Sequence, residues 1–160
     1  MSGAKIYKSI VDEEIKGNIT EANWCVDLVQ YATYKCKIEG LIAAGSFLCP
    51  EIIEVDDCIL VRQLISGEEK EIIEYIETSK KIETKKEIEM MVNTWSIGDF
   101  FTGEYSEGMD DDKVLNQFAM MLCYFWQMRV NELFPDRDIV VETGMELMGE
   151  YGLCITMYEK

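Results

Sequence analysis

The run Phe118-Ala119-Met120-Met121-Leu122-Cys123-Tyr124-Phe125-Trp126 is apolar on every side of a helical wheel, and a helix that is apolar all round is expected to be buried all round. Asp110, Asp111 and Asp112 lie just before it and suit the exposed amides and positive dipole end of a helix N-terminus. Phe134-Pro135-Asp136 marks the other end. The limits 110–134 enclose roughly seven turns. Gln127 and Arg129 cut the apolar run, so the element is too short and too interrupted for a membrane span. It reads as the central helix of a folded core, against which the other elements pack.

Downstream, Asp138-Ile-Val-Val-Glu142 and Leu153-Cys-Ile-Thr-Met-Tyr158 read as two strands of a hairpin over about 138–158, with Gly144, Gly149 and Gly152 between them. In the second strand Leu153, Ile155 and Met157 alternate with Cys154, Thr156 and Tyr158, which predicts one core-facing side. Upstream, Trp95 to Met109 carries Gly98, Gly103 and Gly108 among Phe100, Phe101 and Tyr105, the pattern of a long loop with aromatic anchors. Ser66-Gly-Glu-Glu69 and Thr84-Lys-Lys-Glu87 have the form of capping boxes and open two helices with narrow apolar stripes, expected to form a surface hairpin.

Ile52, Ile53 and Val55, then Cys58-Ile-Leu-Val61, favour a second β-hairpin over about 51–63 turning at Asp56-Asp57; a helix from Val55 to Ile65 is the competing reading. Trp24, Leu28, Tyr31, Ala32, Cys36, Ile38, Ile42 and Ala43 make the stripe of a second long helix ending near Gly45, and Ile6, Ile10, Val11 and Ile15 a short lead-in helix over Lys5 to Lys16. The expected fold is one α+β domain over 1–160. Its two hairpins would join into a small antiparallel sheet with the central helix across the inner face.

The chain has 160 residues, 31 Asp+Glu against 15 Lys+Arg, and a net charge of -16. A field of that sign repels phosphate backbones, which argues against nucleic-acid binding, and attracts basic partners. No histidine is present, so triad hydrolysis and histidine-ligated metal sites are excluded. The six cysteines are dispersed without a C-x-x-C pair, and with no secretion signal at the N-terminus they are expected as reduced thiols in a cytoplasm. Cys123 reads as core, with Cys49 and Cys58 the more exposed thiols. No Walker or G-x-G-x-x-G sequence occurs, and no cofactor is expected. Glu107 with Asp110-Asp-Asp112 could bind a divalent cation through oxygen ligands, but helix capping accounts for those aspartates more simply. Asp56-Asp57 could pair as acid and base, though neighbours at a turn point apart. Trp24, Trp95 and Trp126 could line a ligand pocket, a role less common for tryptophan than core packing.

Phe118-Ala119, Trp126 and Leu133-Phe134-Pro135-Asp136-Arg137 followed by Ile155-Thr156-Met157-Tyr158, with Pro50-Glu-Ile-Ile-Glu-Val-Asp-Asp57 before Ile59-Leu60, form a pattern. It resembles small acidic bacterial cytoplasmic proteins of uncharacterised or polymorphic-toxin immunity type. These are packing motifs covering under half the chain. The resemblance implies an inhibitor that binds and blocks a cognate toxin without turning over substrate.

Asp99, Glu104, Glu107, Asp110, Asp111 and Asp112 fall in a stretch with no basic residue. These carboxylates, with Phe101 and Tyr105 for apolar contact, are the candidate surface for a basic protein partner. The leading expectation is a non-catalytic binding module, monomeric or weakly dimeric. A small-ligand carrier or carboxylate-based enzyme is the rival, and a homo-oligomeric structural protein the third reading.

Overall fold

A computed structural model describes residue 5, residues 7–103 and residues 106–160. The fold is α+β, as expected, and the two hairpins form, but they remain in separate antiparallel sheets of two and three strands. In chain order the elements are α1 (Leu28–Lys35), α2 (Ile38–Leu48), β1 (Ile52–Val55), β2 (Cys58–Val61), α3 (Glu69–Ser79), α4 (Lys85–Asn93), β3 (Trp95–Ser96), α5 (Asp112–Leu133), β4 (Ile139–Met145) and β5 (Leu153–Glu159). The first sheet is β1-β2 and the second is β3-β5-β4.

The first hairpin turns at Asp56 and Asp57, whose φ values of 47° and 71° are those of a two-residue turn with both central residues left-handed. Lys80 donates to the Asp56 backbone carbonyl and carboxylate, and Arg137 to the Asp57 carbonyl, so side chains hold a turn that lacks glycine.

α5 is the expected central helix and lies on β4 and β5. Ala119, Leu122, Trp126 and Val130 are buried against Ile59, Val61, Ile139, Val141, Ile155 and Met157. The Trp126 indole N–H donates to the Phe47 carbonyl at 2.7 Å, which fixes the end of α2 to the core. Removing a side chain of that size from such a site costs about 3–5 kcal/mol. The expectation that α5 is buried on every side is corrected: Met120, Tyr124 and Met128 are exposed, because the elements that cover α5 do not reach that side.

The stripe from Trp24 to Ala43 does not form one helix. Cys36 and Lys37 adopt extended backbone between α1 and α2, and neither helix buries a residue. The lead-in helix is also absent: within residues 7–18 only a 3₁₀ turn, Glu13–Asn18, is helical, and Ile6 lies outside the described residues. The Thr84–Glu87 capping box forms as expected. The Ser66–Glu69 box is displaced to Glu68 and Glu71, since Gly67 at φ +105° carries the chain past the serine before the helix starts. The segment after Trp95 is not wholly loop, because Trp95 and Ser96 pair with Ile155 and Cys154 as a third strand.

The largest departure concerns α4, expected at the surface and found between the two sheets. Ile88, Glu89 and Asn93 are fully buried. Arg62 N–H donates to the Glu51 carbonyl, which sets the register so that Ile59 and Val61 turn their backbone groups away from β1. Lys160 N–H donates to the Asp138 carbonyl, so Met157 and Glu159 likewise face away from β4. α4 meets both rows. Glu89 accepts from Ile59 N–H and Glu159 N–H, each at 2.7 Å. Asn93 accepts from Val61 N–H at 2.8 Å and donates to the carbonyls of Ile59 at 2.8 Å and Met157 at 2.9 Å. Two side chains one turn apart thus replace the strand pairing that would have fused the sheets. With α4 on one side and α5 on the other, β5 is buried on both faces rather than one.

Candidate functional site

The acidic stretch before α5 divides into residues that build the fold and residues that face solvent. Asp111 is the N-cap of α5: its carboxylate accepts from Lys113 N–H at 2.8 Å and Val114 N–H at 3.3 Å. It also accepts from the Asn18 amide at 2.7 Å, and that hydrogen bond, followed by the two backbone amides, holds its pKa below the ordinary aspartate value. Asn18 ends the 3₁₀ turn whose Lys16 ammonium donates to the Cys25 and Val26 carbonyls at 2.7 and 2.8 Å. Asp111 therefore joins the N-terminal segment to the start of the central helix.

Glu107, Asp110 and Asp112 are exposed around this junction. Glu107 borders a cleft of about 650 Å³ whose other walls include Asn18, Ile19, Glu21, Tyr31 and Val114. Glu21 forms an ion pair with Lys35 at 3.1 Å, so the cleft carries one paired carboxylate beside Glu107. Burial and then the Glu21 charge push the Tyr31 phenol up, keeping it a neutral hydrogen-bonding group.

The remaining candidates are elsewhere. Asp99 is exposed and borders a different cleft, of about 490 Å³, with Glu71, Glu150, Tyr75, Trp95 and Ser66. Phe101 is half-buried, its ring edge-on to Phe118 at 5.0 Å between centroids, and extends a ring cluster of Trp95, Phe100, Phe118 and Phe47. It anchors its segment instead of standing free for a partner. Glu104 and Tyr105 lie outside the described residues. Sequence reasoning missed Glu21 and Tyr31, which sit more than seventy residues upstream of Glu107 and carry no local motif.

The other candidate chemistries can be placed as well. Asp56 pairs with Lys80 at 2.8 Å, while Asp57 pairs with Lys85 at 3.1 Å and Arg137 at 3.2 Å, so both aspartates are taken up by ion pairs at the hairpin tip. Arg137 also meets Glu54 at 2.7 Å and Glu159 at 2.5 Å, binding both sheets at one end. Cys58 is buried, contrary to expectation, whereas Cys36 and Cys49 are exposed. Burial raises the thiol pKa of Cys58, Cys123 and Cys154. Trp126 is core, Trp95 is half-buried and Trp24 is exposed. Among the described residues no group of three or more Cys, Asp or Glu side chains is placed to hold a metal ion, and no helix is long and apolar enough to cross a membrane.

Comparison with protein-family models, with curated proteins and with solved structures gives no match for this chain.

Proposed function

We propose that this chain is a non-catalytic protein-binding module of the cytoplasm that captures a basic partner at the acidic cleft before α5, in the manner of an immunity-type inhibitor. The observation that carries the reading is the position of Glu107 in a cleft with Glu21 and Tyr31, with Asp110 and Asp112 exposed at the adjoining start of α5. Carboxylates around a half-open cleft steer a cationic surface, and a phenol within it supplies amphipathic contact. The net charge of -16 extends the same field over the rest of the molecule. An immunity-type role, the expectation raised by the packing motifs of the sequence, would mean a partner that is blocked rather than converted.

The test is affinity capture from cells that make the protein natively, with wild-type and Glu107→Gln/Asp110→Asn/Asp112→Asn baits side by side. A basic protein held by the wild type, with association roughly tenfold slower for the neutralised bait at low salt and little different at high salt, is the expected result. Recovery of the same proteins at equal rates on both baits would refute this site. A second reading, carriage of a small cationic ligand, is favoured by the cleft that gathers Asp99, Glu150, Tyr75 and Trp95. Saturable binding of an organic amine that Asp99→Asn abolishes would support it.

A further inference from the structure

We propose that the outer edge of β4 and the groove beside it form a strand-docking site for an extended, apolar segment flanked by lysine or arginine, supplied by a different protein. The site is separate from the acidic cleft and does not depend on it. The Lys160–Asp138 and Glu146–Gly152 backbone hydrogen bonds bracket the β4-β5 ladder. They show that even-numbered residues of β4 exchange hydrogen bonds with β5 and that Ile139, Val141, Thr143 and Met145 turn their N–H and C=O groups outward.

The first half of that edge is closed by side chains of α5. Gln127 donates to the Ile139 carbonyl at 2.8 Å and accepts from Val141 N–H at 3.0 Å, reproducing the contacts of a neighbouring strand, and the Cys123 thiol donates to the Val141 carbonyl at 3.2 Å. The second half is open: the outward groups of Thr143 and Met145 have no hydrogen-bond partner among the described residues. An open edge is a template for one more strand.

What lies alongside determines the kind of strand. A groove of about 620 Å³ runs between β4 and α5, walled by Met120, Cys123, Tyr124, Met128, Val141 and Thr143. Met120 and Met128 are 59% and 52% exposed, on a side of α5 that the described residues leave largely open apart from Ile10 at the groove's rim. Methionines adapt to different apolar shapes, and an edge beside such a groove gives the two parts of strand addition, backbone pairing for affinity and pockets for alternate side chains. Charge selects the occupant. Glu142 and Glu146, both exposed, flank the open half of the edge in sequence, and no lysine or arginine lies between Ile139 and Gly152. A second copy pairing here would set those carboxylates against each other, whereas a segment with basic flanks meets opposite charge.

The experiment is selection of a random displayed peptide library on the full chain. The expected binders combine alternating apolar residues with Lys or Arg and lose about tenfold in affinity on Thr143→Pro, which removes an outward N–H and leaves the β5 ladder intact. If that variant does not fold, N-methylation of alternate amides of the selected peptide supplies the same readout, with loss at one set of positions and none at the other. The proposal is overturned if no peptide is enriched, or if the enriched peptides bind Thr143→Pro and every N-methylated form as tightly as the parents. Because Glu107, Asp110 and Asp112 are unchanged throughout, either outcome leaves the acidic-cleft reading to its own test.

Discussion

Asn93→Leu keeps the branched arrangement of side-chain heavy atoms and deletes three of the five hydrogen bonds by which α4 holds the sheets together. In the folded protein it would strand Val61 N–H and the carbonyls of Ile59 and Met157, all of which bond to Asn93 at 2.8–2.9 Å. The site is fully buried, so water does not replace the lost partner without opening the core. At about 1–3 kcal/mol for each buried group left unsatisfied, and with partial relaxation of neighbouring backbone, the loss is about 3–5 kcal/mol. A domain of this size has about 5–15 kcal/mol in total, so the variant should fold but with a much lower urea midpoint. Asn93→Ala adds a cavity to the same loss and should be worse by about 1 kcal/mol. Urea unfolding followed by circular dichroism, with the slope checked for constancy, measures both. A Leu variant within about 1 kcal/mol of wild type would refute the claim that these hydrogen bonds, rather than apolar packing of α4, join the sheets.

Two further outcomes follow from buried titrating groups. Burial holds the Glu89 pKa above the ordinary glutamate value, against the opposing effect of the Glu159 and Ile59 amides. Its contribution to stability is then complete below that ordinary value and falls as pH rises through the folded pKa, so the stability gap between wild type and the non-titrating Glu89→Gln should narrow from about pH 4 to pH 7. Urea titrations at both pH values check the sign, and a gap that widens would refute it. For the thiols, Cys36 and Cys49 are exposed while the other four are buried or half-buried. A disulfide reagent should therefore label those two rapidly in the native protein and the rest only on unfolding, and rapid labelling of Cys58 would contradict its placement.

Features legible in the sequence were those closed within a few residues. Thr84 and Glu87 satisfy each other's backbone across one turn. Asp111 caps the amides of the two or three residues after it. Asp56 and Asp57 make the hairpin turn. The caps need only their neighbours and the alternation that sets the hairpin is local, which is why spacing sufficed, although Lys80 and Arg137 secure the turn from a distance. The candidate site was legible only as a run of like charge. That Asp111 also anchors the N-terminal segment, that Phe101 is half-buried and that Asp99 faces another cleft depend on Asn18, Phe118 and Glu71, which are distant in the chain.

Local signals also left α5 ambiguous. Its residues are apolar all round, and which side is buried depends on where β4, β5 and α2 end, so Met120, Tyr124 and Met128 could not be told from Leu122 and Trp126 by pattern. Glu89 and Asn93 looked like surface residues for the same reason: a polar side chain is stable inside when backbone donors and acceptors meet it there. Those of Ile59, Val61, Met157 and Glu159 come from strands about thirty to seventy residues away in the chain. The chain's order of residues carried α3, α4 and α5, the hairpins and the excess of negative charge, because each is a property of neighbours. Which faces meet, which edges stay open and which carboxylates share a cleft arose from packing between distant segments, where burial and hydrogen bonding are settled jointly.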